Sequence, residues 1–118
     1  MAGYRDLKVW QMAMKLAEEA YRLTAKFPKH ETYGLASQVQ RAAVSIPSNI
    51  AEGHGRNSRK EFHHFLGISL GSLAELETQL ALAQRFAYLT EDELDTSLQL
   101  ADEIAKMLKG LQKSLTSN

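Results

Sequence analysis

One stretch of the sequence stacks polar chemistry on a single helical face. Arg41, Ser45, Asn49, Glu52 and Arg56 follow one another at spacings of four, four, three and four, and residues three or four apart are neighbours on a helix surface. Ala42, Ala43, Ile46 and Ile50 lie between them, so the stripe borders apolar surface. Folding the chain back at a turn near Gly55–Asn57 brings Arg41 level with Ser72 and Glu75. An arginine at the edge of a core calls for a carboxylate, which predicts a buried or half-buried Arg41–Glu75 pair. The stripe reads either as a polar binding site or as a hydrogen-bonded network that fixes helix register or a subunit contact.

The segment from His54 to Lys60 adds three cations, Arg56, Arg59 and Lys60, with His63 and His64 just beyond. Cations and free amides converging at a helix start can hold phosphate. Solvated loops carry the same residues, and no aromatics interleave here for base stacking. Catalytic and metal chemistry finds no constellation. His63 and His64 are adjacent, so about 100° separates them on a helix and they cannot face one ion. Glu-x-x-His occurs once, as Glu61–His64, where a di-metal bundle needs it twice. Ser45 has no histidine within helical reach, and the glycines around His54 lead into no phosphate-loop Lys-Ser/Thr. No catalytic residue, metal ligand or cofactor is therefore expected.

Four apolar patterns of helical period must position these groups, over about 6–26, 32–53, 58–86 and 91–115. The first places Leu7, Trp10, Met14, Ala17, Tyr21 and Thr24 on one face, with Asp6 as N-cap, and Pro28 closes it. The second places Leu35, Val39, Ala42, Ala43, Ile46 and Ile50 in step and contains Pro47. Because the period continues past the proline, a kink is expected rather than a break. Gly53 or Gly55 supplies a left-handed C-cap. Ser58 with Glu61, and Thr90 with Glu93, form capping boxes that open the third and fourth helices.

The third helix carries Phe62, Phe65, Leu66, Leu73, Leu76, Leu80 and Ala83, and the fourth Leu94, Leu98, Ala101, Ile104, Leu108, Leu111 and Leu115. Gly67 and Gly71, one turn apart, predict the close approach of a neighbouring helix. Trp10, Tyr21, Phe62, Phe65 and Phe86 read as core, and Tyr4, Tyr33 and Tyr88 as helix-end residues. Only the residues after Leu115 read as frayed. Helices of this length with short connections fold back on one another, so the fold class is an all-α, antiparallel up-down-up-down four-helix bundle, one domain over residues 1–118.

The chain has 118 residues, 44% of them hydrophobic and 24% charged, which argues against intrinsic disorder. No apolar run approaches a membrane span, no secretory signal opens the chain, and there is no cysteine. These features point to the cytoplasm. The net charge of zero conceals a split. Ten bases oppose five acids up to Lys60, and nine acids oppose four bases from Glu61 onward, so +5 faces −5. Such asymmetry suits either a nucleic-acid surface or, better in a neutral chain, the meeting of one subunit's basic face with the next one's acidic face.

The segments YRDLKVWQMAMKLAEEAYRLTAKFP, YGLASQVQRAAVSIPSNIAEGHGRNSRKEFHHFL and GSLAELETQL resemble the family of four-helix-bundle proteins encoded by intervening sequences in bacterial 23S rRNA genes. The resemblance runs from Tyr4 to about Leu115. It is most specific from Arg41 to Arg56, with Ser45, Asn49, Glu52 and Gly53, and at Gly71, Ser72 and Glu75. It implies a bacterial bundle that assembles with copies of itself, as a homopentamer, without an established biochemical activity. More distantly the chain is similar to the accessory protein of diversity-generating retroelements, which implies nucleic acid or a nucleic-acid enzyme as a further partner. Two functions follow as expectations. One is a non-enzymatic oligomeric scaffold or interaction protein. The other is an RNA- or DNA-binding accessory protein using Arg56, Arg59 and Lys60.

Overall fold

In the computed structural model, which describes residues 3–116, four helices run antiparallel: α1 Lys8–Thr24, α2 Leu35–His54, α3 Arg59–Arg85 and α4 Glu91–Thr116. Helices consecutive in the chain pack side by side, and α1 closes against α4. The result is a rod of 48 × 23 × 22 Å. Its core is almost wholly aliphatic. Leu16, Leu23, Ile46, Ile50, Leu66, Leu73, Leu76, Leu80, Ile104 and Leu108 are each essentially inaccessible to solvent, and burying such a side chain contributes roughly 1.5–3 kcal/mol.

The helix starts differ in how they are made. Asp6 is not the cap of α1. It lies in a 3-10 turn, Tyr4–Asp6, and Leu7 stands at the N-cap without a side-chain bond. A second 3-10 turn, Lys29–Glu31, follows Pro28 and delays α2 to Leu35. There Glu31 Oε1 accepts from the Leu35 backbone N–H at 3.0 Å, so a carboxylate four residues upstream does the capping. Ser58 Oγ accepts from the Glu61 N–H. Thr90 and Glu93 bond each other's backbone N–H groups at 3.1 and 2.9 Å, as the capping box requires.

The helix ends bring further corrections. Among the described residues no glycine has positive φ, so neither Gly53 nor Gly55 is a left-handed cap. Gly55 sits at φ −77° and ends α2 in ordinary helical geometry. Gly53 is buried, and a β-carbon there would lie 2.6 Å from Phe65 Cβ; the glycine lets α2 and α3 close on one another. The left-handed residue is Ala87, at φ 65° after α3. Its N–H bonds Gln84 O and the next bonds Ala83 O, the paired bonds of a Schellman turn. α2 runs unbroken past Pro47, and α4 continues through Thr116. Ser117 and Asn118, also expected to fray, lie outside the described residues.

The core face of α1 is set one position away from the expected one. Val9, Ala13, Leu16, Ala20 and Leu23 are buried, with Ala17 and Thr24. Met14 and Tyr21 are exposed, as is Phe86 after α3. Gly67 and Gly71 do not admit a helix of this chain either. A β-carbon at Gly71 would meet nothing within 4 Å, and one at Gly67 only the Gln112 side chain at 3.4 Å.

Candidate functional site

The polar stripe of α2 forms, but its members do different things. Ser45 and Ser72 share a hydrogen bond of 2.8 Å across the α2–α3 seam. Asn49 Nδ2 donates to Ser45 Oγ at 2.9 Å and to Ser45 O at 2.8 Å. Because Asn49 supplies a donor, Ser45 can turn its own proton to Ser72. One turn deeper, buried Ser69 donates to Ile46 O at 2.9 Å. These bonds register α3 on α2, which was one of the two readings of the stripe.

Arg41 and Glu75 were expected as a buried or half-buried pair. Both are exposed, and among the described residues no ion pair joins them. They stand instead on opposite walls of a polar cleft of about 440 Å³, with Tyr33, Ser37, Gln38 and Gln79. The sequence misled here because the register was right and the depth was not. Arg41 lies on the rim of α2, where water serves its guanidinium as well as a carboxylate would. Gln79 gave no sequence signal: it reads as a polar residue within an apolar period. It is buried, and among the described residues no group donates to its Oε1.

The basic loop is largely occupied by its own surroundings. Arg56 bonds Glu52 across one helical turn at 2.8 Å and approaches Glu61 at 3.4 Å, while its guanidinium lies 5.0 Å from the Phe65 ring centre. Arg59 donates to the carbonyls of Ser114 and Leu115 at 2.9 and 3.2 Å, satisfying oxygens that the end of α4 leaves without helical partners. Lys60 is exposed at the start of α3. Among the described residues no three His, Asp or Glu side chains gather so as to hold a metal ion.

A different surface emerges between α1 and α2. Tyr4, Trp10, Met14, Ala17, Val44, Pro47 and Ala51 line an apolar groove of about 340 Å³. Tyr4 meets Trp10 edge-on at 5.3 Å along its lining. Met14 and Val44 are 37% and 43% exposed, more than a satisfied bundle face needs. On α3, Ile68, Leu82 and the following Phe86 are exposed as well, at helical spacing on the same outward side as Gly71.

Comparison with known sequences agrees with this architecture. The profile of the 23S rRNA-intervening sequence protein family matches residues 5–110. The chain belongs to that family. Among solved structures the chain is similar to a protein of unknown function from the S23 ribosomal protein family of Bacteroides thetaiotaomicron. It is 26% identical, superposes with a TM-score of 0.82, and the match covers 89% of this chain and 98% of that one. No curated protein matches the chain. The Ser45–Asn49–Ser72 group and the polar cleft both fall inside the span of the family match. Among the described residues no helix is long and apolar enough to cross a membrane.

Proposed function

We propose that this family member is a non-enzymatic subunit of a closed homo-oligomer, a pentameric ring, working as a scaffold or interaction platform. The observation that carries the reading is a pair of low-charge apolar surfaces on different helices. One is the α1–α2 groove around Trp10, Met14, Val44 and Pro47; the other is the outward side of α3 with Ile68, Gly71, Leu82 and Phe86. A groove and a ridge at separate places on one molecule pair head-to-tail, and a head-to-tail contact closes into a ring when its rotation permits. The charge split supports the same pairing. The groove belongs to the half of the chain that carries +5, and most of α3 and all of α4 to the half that carries −5.

Native mass measurement tests this. Assemblies of five times the 13.2 kDa chain are expected. A groove variant (Met14→Lys with Val44→Glu) and a ridge variant (Leu82→Glu) each give monomers, and their mixture gives one-to-one dimers through the single contact left intact. A monomeric parent protein overturns the proposal.

The alternative, a nucleic-acid surface at the α2–α3 loop, draws on Arg56, Arg59 and Lys60. Glu52 and Glu61 beside Arg56 reduce the field that phosphate would meet there, and phosphate contacts dominate such affinity. A salt series with structured RNA separates the readings: absence of binding at low salt is expected for the scaffold.

A further inference from the structure

The seam between α1 and α4 holds a groove of about 480 Å³ that shares no residue with the two assembly surfaces. Met12 of α1 and Leu100 and Met107 of α4 give it an apolar lining. All three are half-buried and rest on the core. The rest of the lining is charged: Lys8, Lys15 and Lys106 are exposed there, and Glu103 is the single acid. Among the described residues none of these three lysines is paired with a carboxylate. Toward the other end of α1 the cations are paired, Lys26 with Glu93 of α4 and Arg22 with Glu19 at 2.7 Å. The groove is therefore an apolar strip with an uncompensated positive rim, on a chain whose net charge is zero.

We propose that this groove binds an amphipathic helix of a partner protein, one that carries Asp or Glu on both flanks of a short apolar ridge. Lys8 and Lys15 lie about 10 Å apart along α1, and Leu100 and Met107 about the same along α4. That length takes about two turns of a helix, whose apolar residues at i, i+3 or i+4 and i+7 form one ridge. Methionine is unbranched and polarizable, so Met12 and Met107 repack around whatever ridge they meet. A lysine keeps its stem on apolar surface and its ammonium in water. The three ammoniums thus meet carboxylates at the flanks of a seated helix and steer its approach. The same features disfavour other occupants. A nucleic-acid strand spreads its charge along its whole length and brings no apolar ridge to Met12 and Met107. A bilayer surface is flat, whereas these apolar residues lie half-buried between two helices. A second copy offers no match. The acidic first turn of α4 keeps Leu94 buried, and the exposed side of α3 carries a base, Arg85, as well as Glu75. The proposal extends the interaction role given above and does not depend on the ring.

The test uses the full chain and a set of synthetic helices of about 15 residues, or about four turns. Each has leucine or methionine at i, i+3 or i+4 and i+7, with glutamate on both flanks, and fluorescence anisotropy reads its binding. At least one is expected to bind once per chain. The same peptide with lysine in place of glutamate, and the one with alanine in place of its apolar residues, are each expected to bind at least about tenfold more weakly. Lys8→Glu with Lys106→Glu alters exposed residues only and is expected to reverse the preference between acidic and basic peptides. Met12→Ala with Met107→Ala is expected to weaken the acidic peptide by about tenfold, with circular dichroism confirming that the helices remain. The proposal is overturned if no acidic helix binds, or if the basic or the alanine peptide binds equally well. It is also overturned if anionic lipid vesicles displace the peptide, which assigns the groove to a membrane surface. A change in the mass of the assembly on Lys8→Glu with Lys106→Glu overturns it too, because the groove is then a contact between copies. A monomeric parent protein that binds the acidic helix upholds this proposal while the ring fails.

Discussion

The hydroxyls of Ser45 and Ser72 meet at 2.8 Å across the α2–α3 seam, and Asn49, one turn on, donates to the Ser45 hydroxyl oxygen at 2.9 Å. Both hydroxyls are half-buried, so solvent competes only partly for the bond. Removing either one leaves the other short of a partner. A double-mutant cycle of Ser45→Ala and Ser72→Ala, followed by urea denaturation, is expected to give a coupling of about 0.5–1.5 kcal/mol. A coupling of zero would mean that water replaces the lost partner fully.

Ala87 holds a left-handed conformation, φ 65°, that costs a residue with a β-carbon about 1–2 kcal/mol. Ala87→Gly removes that cost and loses some unfolded-state restriction in return. A net gain of about 0.5–1 kcal/mol is expected in the denaturation midpoint. An unchanged or lowered midpoint contradicts the account of this turn.

Gly53 presents the opposite case. A β-carbon there would stand 2.6 Å from Phe65 Cβ and 3.0 Å from Phe62 Cδ1. Gly53→Ala is therefore expected to destabilise by about 1–3 kcal/mol through overpacking, despite alanine's better helix propensity. Gly110→Ala is the control: its β-carbon meets nothing within 4 Å, so it is expected to stabilise by roughly 0.5–1 kcal/mol. Equal effects at the two positions would refute the packing argument.

Acid acts chiefly through carboxylates at the helix starts. The Lys26 ammonium, and then the Thr90 backbone N–H, pull Glu93 down from 4.5 to about 2. Glu31 is lowered by the Leu35 N–H first and the Tyr88 hydroxyl second, and Glu19 by its bond to Arg22. A carboxylate whose pKa is lower folded than unfolded binds fewer protons in the folded state. Its stabilisation is complete above the unfolded value, 4.5, and for Glu93 is lost as pH falls through about 2. Glu77 works in reverse: burial, then the Asp102 charge, raise its pKa, so acid relieves it. Glu93→Gln and Lys26→Met are each expected to flatten the fall in stability over the Glu93 window, measured as urea midpoint against pH. Parallel curves for variant and parent would remove Glu93 from the explanation.

The bundle could be read from residue order because its determinants are local. Ser58–Glu61 and Thr90–Glu93 announce their helices through bonds that span three residues, and Pro28 ends the first pattern by its own ring. Errors arose where a helix has two apolar faces. On α1, Trp10, Met14 and Tyr21 compete with Val9, Ala13 and Leu16, and periodicity alone does not say which face meets the bundle. Burial answers that, and Trp10 and Met14 of the face left outside line the α1–α2 groove. Gly53 was misread, and Ala87 gave no signal, for a related reason: a glycine can mark a turn or a tight contact, and alanine carries no turn signal at all. The Ser45–Asn49–Ser72 group was legible as a spacing, whereas Gln79 required a structure in which its depth could be seen.

Glu31 offers one carboxylate oxygen to the Leu35 N–H and the other to the Tyr88 hydroxyl at 2.8 Å. The segment entering α2 and the turn leaving α3 are thus latched by a single side chain, although 57 residues separate Glu31 from Tyr88. Neither connection can open without loosening the other. Amide hydrogens at the two places should therefore exchange with solvent as one cooperative unit, and a protease that finds one connection open will find both.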